Sequence, residues 1–143
     1  MNNNFLIVFE GIDRSGKTSL MSAFNKLTGY AHPCVDRLYA SHAFYAYDRT
    51  NNISNLMDLV YKHGATICDS DITYINVNVT CDKESWEKRM DDTKHEDVNW
   101  SDSIRLRQVS VSLSNHANED REIMHIVDID TSNFHQRNAL QFY

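Results

Sequence analysis

Phe5-Leu6-Ile7-Val8-Phe9-Glu10-Gly11-Ile12-Asp13-Arg14-Ser15-Gly16-Lys17-Thr18 is the stretch from which the fold is read. Phe5 to Phe9 is an unbroken apolar run. It is too short for a membrane span or a signal-peptide core, and it has the character of a strand buried on both faces. Gly11 to Thr18 fits the pattern GxxxxGK[ST]. A helix is expected to begin at Gly16 or Lys17 and run to about Leu27. Leu20, Met21, Phe24 and Leu27 fall at helical spacing, and Gly29 supplies the stop. Strand, glycine-bounded turn and amphipathic helix, in that order, are the context the pattern requires. Glycines let the backbone curl so that successive N–H groups face one anion, and the helix start adds its own. The expected ligand is therefore a nucleoside triphosphate, ATP with Mg²⁺. Lys17 is expected as a solvent-facing ligand of the β- and γ-phosphates, and the Thr18 hydroxyl as a ligand of the metal. Gly11, Asp13, Arg14, Ser15, Gly16, Lys17, Thr18 and Ser19 form the expected nucleotide-binding set.

Working outward, Cys34-Val35-Asp36 reads as a short second strand entered through Pro33, and Ile53 to His63 as a helix closed by Gly64. Leu56, Leu59 and Val60 form that helix's inner face. From Thr73 to Val79 the pattern alternates, with Ile75, Val77 and Val79 on one face and Tyr74, Asn76 and Asn78 on a wetter one. Asp82 is expected to cap a helix through Trp86 to about Met90, followed by a polar loop from Asp91 to Asn99. A helix from Trp100 to about Asn118, capped by Ser101 or Asp102, leads to a last strand, Ile123 to Ile129. Strands alternating with helices predict an α/β fold with a parallel sheet and helices on both faces.

The 143 residues carry no linker, repeat or low-complexity tract, so a single domain over 1–143 is expected. With 41% apolar and 24% charged residues the chain is globular in composition. A net charge of −6 argues against a long nucleic-acid groove but not against a small phosphate ligand. Cys34, Cys68 and Cys81 are widely spaced, without a CxxC pair, and the histidines lack metal-ligand spacing. A soluble, cytoplasmic protein without a membrane partner is the expectation.

Phe9 to Thr18 closely resembles the P-loop of thymidylate kinases, FEGxDxxGKT. Asp36-Arg37-Leu38-Tyr39-Ala40-Ser41-His42-Ala43-Phe44-Tyr45 is similar to a second signature of that family, with Asp36, Arg37, Ser41 and Tyr45 at matching positions. Ile75 to Met90 resembles the strand and helix that lead into the family's lid, and Ile126-Val127-Asp128 the last strand before its adenine-contacting loop. The resemblance implies a three-layer P-loop NTPase fold and phosphoryl transfer from ATP to a (deoxy)nucleoside monophosphate. It also implies a catalytic set of Lys17, Arg14, Asp13 and Arg37. Arg14 would aim at the transferred phosphoryl and Arg37 would clamp the acceptor phosphate. Asp13 would serve the acceptor's sugar or phosphate, with Ser41 and Tyr45 beside it. Asp36 would reach, through water, the Mg²⁺ that Thr18 ligates. Arg89, Arg105 and Arg107 are lid or near-lid candidates, and the resemblance extends to a homodimer.

The departure is the segment between the first helix and Asp36, where only Thr28 to Val35 remain. The family's Phe-Arg pair that grips thymine has no counterpart here, and the sheet is expected to be reduced to about four strands. Two other readings follow: a kinase-derived nucleotide-binding module with little turnover, or a kinase for a nucleoside or nucleic-acid end. Tyr39, Phe44, Tyr45 and Tyr47 serve either to stack on a base or to fill a core. Arg105 and Arg107, two apart, are expected on different sides of one helix. Asp69 and Asp71 read as solvated turn residues, and Lys94, His95 and Glu96 as a solvated loop.

Overall fold

The first strand, β1 (Phe5–Glu10), shows why the sheet needs helices on both sides. Ile7 and Phe9 point to one face and Val8 and Glu10 to the other, and all four are buried. The computed structural model describes residues 4–50, 53–89 and 99–133. They form an α/β fold in which β1, β2 (Cys34–Asp36), β3 (Thr73–Thr80) and β4 (Met124–Asp130) make one parallel sheet in the order β2-β1-β3-β4. Five helices are described: α1 (Lys17–Thr28), α2 (Tyr39–Thr50), α3 (Ile53–Asp69), α4 (Lys83–Lys88) and α5 (Asp102–Ala117).

Helix α1 covers one face, packing Leu20, Met21 and Phe24 onto Ile7, Phe9, Val77 and Val79. Helices α2, α3 and α5 cover the other, where Ala40, Phe44, Val60, Ile67, Leu106 and Leu113 join Val8 in the main core. Gly29 ends α1 in the left-handed conformation, as its position predicts. Asp82 accepts a bond of 2.7 Å from Ser85 N and so caps α4.

Three expectations change. Gly64 does not close α3, which continues to Asp69. A β-carbon at Gly64 would stand 2.7 Å from the Cβ of His116 on α5, so the missing side chain is what lets the two helices pack closely. The expected wet face of β3 is dry. Asn76 and Asn78 are 2% and 1% exposed, because α5 lies over them. Asn76 donates to the Ser110 hydroxyl (3.3 Å) and Asn78 to Asp128 (2.9 Å). Ser101 makes no side-chain cap, whereas Asp102 accepts from Asn99 N at 3.2 Å. Helix α4 ends at Lys88 with Arg89 as its cap, just before the expected Met90, and the expected loop from 91 to 99 falls mostly outside the described residues, as do Lys94, His95 and Glu96.

At the carboxyl end of the sheet Phe9 pairs with Asp36 on one side and Val77 on the other. The chain leaves β1 for β2, then returns past it to β3. The strand order therefore reverses beside β1, which is where open α/β sheets leave a crevice for ligands. No described helix is long and apolar enough to cross a membrane.

Candidate functional site

The loop from Gly11 to Gly16 occupies that crevice. Its turn depends on backbone that side chains disfavour: Gly16 has φ 92° and Arg14 has φ 67°. Gly16 also faces Thr131, whose Oγ1 would lie 2.6 Å from a β-carbon there. Gly11 is equally confined, with Ser15 Oγ at 2.6 Å and Val79 O at 2.8 Å from a would-be Cβ. Helix α1 starts at Lys17 with no side-chain cap and no acidic residue in its first turn. Its first N–H groups and the positive end of its dipole are thus directed at whatever the loop encloses.

A cavity of about 450 Å³ lies there, lined by Ile12, Asp13, Arg14, Gly16, Lys17, Thr18, Ser19, Asp36, Arg37 and Arg89. Four cations face two carboxylates, so the cavity is locally positive although the chain is acidic overall. Lys17 differs from expectation. It is only 6% exposed, and its ammonium contacts the Asp36 carboxylate, itself about half exposed. The burial follows from its place at the first turn of α1 beside β2, and Lys17 still lines the cavity. Thr18 and Ser19 are exposed on that turn.

Arg37 follows β2 with φ 64°, its backbone N–H bonded to Phe9 O at 2.9 Å. That geometry turns the side chain back across the loop, where Nη2 meets Asp13 Oδ1 at 2.7 Å and reaches Gly11 O at 3.5 Å. Its guanidinium lies 5.5 Å from the centre of the Tyr45 ring. Burial works against the Arg37 charge, but Asp13, Tyr45 and Asp36 hold its pKa above the ordinary value. Burial likewise raises the Tyr45 phenol, against the pull of Arg37.

Asp13, Arg14, Gly16, Lys17, Thr18, Ser19, Asp36 and Arg37 thus meet in one cavity, with Tyr45 under Arg37. Gly11 and Ser15 lie behind it as scaffold. Ser41 is buried and donates its hydroxyl to Glu10. Of the three arginines considered for a lid, Arg89 lines the cavity but is committed to the scaffold. It donates to Arg14 O (3.0 Å), Thr131 Oγ1 (3.2 Å) and Thr131 O (2.6 Å). Arg105 and Arg107 do point to different sides of α5, toward α2 and toward Asp128 on β4 respectively.

Sequence reasoning missed the bracing. Glu10 is fully buried beneath the start of α2, where it accepts from Leu38 N (3.3 Å), Ser41 N (3.1 Å) and the Ser41 hydroxyl. It thereby caps α2 and fixes the turn that carries Asp36 and Arg37. Trp86 donates to Asp13 O at 2.9 Å, and Arg14 lies 5.5 Å from its ring. The signal for Glu10 was an acid closing an otherwise apolar run. Trp86 and Thr131 carried none, being brought to the loop only by the ends of β3 and β4.

The oxygen donors of the cavity, the Thr18 hydroxyl and the Asp36 carboxylate, are of the hard type that suits Mg²⁺. Among the described residues no group of three or more His, Cys, Asp or Glu could hold a metal alone. A Mg²⁺ here would need oxygens from a ligand or water, as is usual for Mg²⁺ bound with phosphates. Comparison of the chain with protein-family models and with curated proteins gives no match.

Proposed function

We propose that this chain is a small P-loop kinase, similar to a reduced thymidylate kinase, that moves the γ-phosphoryl of ATP to the phosphate of a (deoxy)nucleoside monophosphate. One observation carries the reading. An uncapped helix start, Lys17, Thr18 and Arg37 border a single positive cavity at the strand-order reversal. The triphosphate would lie along the Gly11–Gly16 loop, with Lys17 drawn from Asp36 to the β- and γ-phosphates. Thr18 and Asp36 would hold Mg²⁺, which neutralises charge on the transferred group. Arg37, across the loop, would bind the acceptor phosphate with two parallel bonds. An oxygen of that phosphate forms the new bond to the γ-phosphorus as the bond to the β-bridging oxygen breaks, giving two diphosphates. The acceptor oxygen is already ionised at neutral pH, so no general base is required. Arg14 would stabilise the charge in transit, leaving positioning and electrostatics as the whole of catalysis.

A second reading, a nucleotide-binding module with little turnover, is favoured by the pairing of Lys17 with Asp36 and of Arg37 with Asp13. Both phosphate-directed cations are then neutralised within the protein. The two readings separate in an assay of ADP release with ATP, Mg²⁺ and each common nucleoside monophosphate. Acceptor-dependent ADP supports the kinase. ATP binding without ADP from any acceptor supports the module, and absence of ATP binding removes both.

A further inference from the structure

A second cavity, of about 280 Å³, opens between α2, α3 and α5, separate from the lining of the loop cavity. It lies toward the same end of the molecule. Helix α5 starts beside the carboxyl end of β3, where Trp100 Nε1 donates to Cys81 O at 2.8 Å, and finishes beside the start of β4, where Asn118 donates to Met124 O. The cavity draws on the first half of α3, from Leu56 to Val60, and on α5 from Arg105 to Ser112.

Its walls are Phe44 and Tyr47 of α2, Leu56 and Val60 of α3, and Arg105 and Gln108 of α5. The Arg105 guanidinium stands 5.7 Å from the ring centres of both Phe44 and Tyr47. It is held from behind by Asp102 at 3.3 Å. No carboxylate stands among the described lining residues. Flat apolar walls with a guanidinium and an amide at the edge suit a heteroaromatic ring that carries hydrogen-bond acceptors. Ring faces stack on aromatic side chains, and arginine and glutamine pair with base edges.

The cavity is also linked to the loop. Arg37 lies over Tyr45 (5.5 Å), the Tyr45 ring packs edge-on against Phe44 (5.2 Å), and Phe44 faces Arg105. These side-chain contacts join the Arg37 grip to the wall of the cavity, which the buried Phe44 forms. We propose that the cavity between α2, α3 and α5 receives the nucleobase of the acceptor monophosphate. This inference rests on the kinase reading for the identity of the acceptor. Helix α2 then serves both ends of one substrate. Its buried start is fixed by Glu10 beside the phosphate grip, and Phe44 and Tyr47 further along supply the base contacts.

The test is calorimetric titration of wild type, Ser112→Trp and Gln108→Ala with three probes: each common nucleoside monophosphate, ribose 5-phosphate and ATP·Mg²⁺. Ser112 lies on the exposed rim of the cavity, so an indole there fills the space from outside. The expected result is a tenfold or greater loss of affinity for the preferred monophosphate in Ser112→Trp and a smaller loss in Gln108→Ala. Affinity for ATP·Mg²⁺ and ribose 5-phosphate should be unchanged in both. Equal monophosphate affinity in all three proteins would overturn the base site and leave the kinase reading standing. A wild type that binds ATP·Mg²⁺ but no monophosphate would overturn both the base site and the kinase reading. If Ser112→Trp fails to fold, Gln108→Ala decides alone.

Discussion

Lys17 is a buried cation whose ion pair lies half in solvent, and that governs how its loss should appear. Lys17→Met keeps the aliphatic stem and frees a carboxylate, Asp36, that water can reach. The fold should therefore survive. ATP·Mg²⁺ at a hundred times its dissociation constant stabilises a binding protein by about 2.7 kcal/mol. That gain should appear in the melting temperature of the wild type and vanish in Lys17→Met. Arg37 combines a functional side chain with an unfavourable backbone at φ 64°. A left-handed conformation costs a residue with a β-carbon roughly 1–2 kcal/mol, and glycine escapes most of it. Arg37→Gly should therefore melt higher than Arg37→Ala, while both raise the Michaelis constant for the acceptor and leave ATP binding almost unchanged. Arg37→Lys should raise it less, since it keeps the charge but loses the fork. An unchanged acceptor constant in Arg37→Ala, at a normal melting temperature, would remove the phosphate grip from Arg37.

Helix packing sets the sign of the next two predictions. Alanine usually stabilises a helix interior by about 1 kcal/mol over glycine. At Gly64 the new methyl would meet His116 Cβ at 2.7 Å, a contact fixed close to the backbone of α5. Overpacking costs about 1–3 kcal/mol and outweighs propensity, so urea denaturation should find Gly64→Ala less stable than wild type. Glu10 supplies a pH signature. Burial raises its carboxyl, while the bonds from Ser41 and Leu38 and the charge of Lys17 pull the other way. A carboxyl with a raised folded pKa contributes stability that is complete below its unfolded value, about 4.3, and is lost as pH rises through the folded value. Wild type should thus lose stability relative to Glu10→Gln as pH is raised from about 4. His63 works in the opposite sense. Burial and the nearby His42, 2.8 Å away between α3 and α2, depress it. Its contribution is complete above about 6.5 and is lost as pH falls through the folded value. A His63→Gln variant should show a flatter decline on the acid side.

Taken as a whole molecule, the α/β class, the four strands and most helices were legible in the chain because each rests on local periodicity. The run from Phe5 to Phe9, the Leu20–Phe24 stripe and the Asp82 cap needed no distant partner. What stayed hidden was tertiary. Gly64 looked like a stop because the approach of His116, 52 residues later, is invisible in sequence. Asn76 and Asn78 looked wet because polar side chains at alternate positions usually are, whereas here both are buried and their amide groups donate to Ser110 and Asp128. Most of the site residues were legible because one local motif supplies them. Glu10, Trp86, Arg89 and Thr131 acquire their bracing roles only when four strand ends are brought side by side.

The position of β1 in the middle of the sheet also bears on how the chain is made. Phe5 pairs with Thr73, and its other neighbour, β2, offers only three residues of partner. During synthesis this apolar segment must therefore wait for some seventy residues to emerge before its main partner exists. An uncharged run without proline, kept unpaired that long, is prone to associate with copies of itself. Parallel pairings between distant segments also form slowly. A fragment ending before residue 70 should accordingly aggregate, and replacing Ile7 with lysine in that fragment should keep it dispersed. Light scattering at equal concentration compares the two, and equal scattering would place the burden of nascent-chain solubility elsewhere.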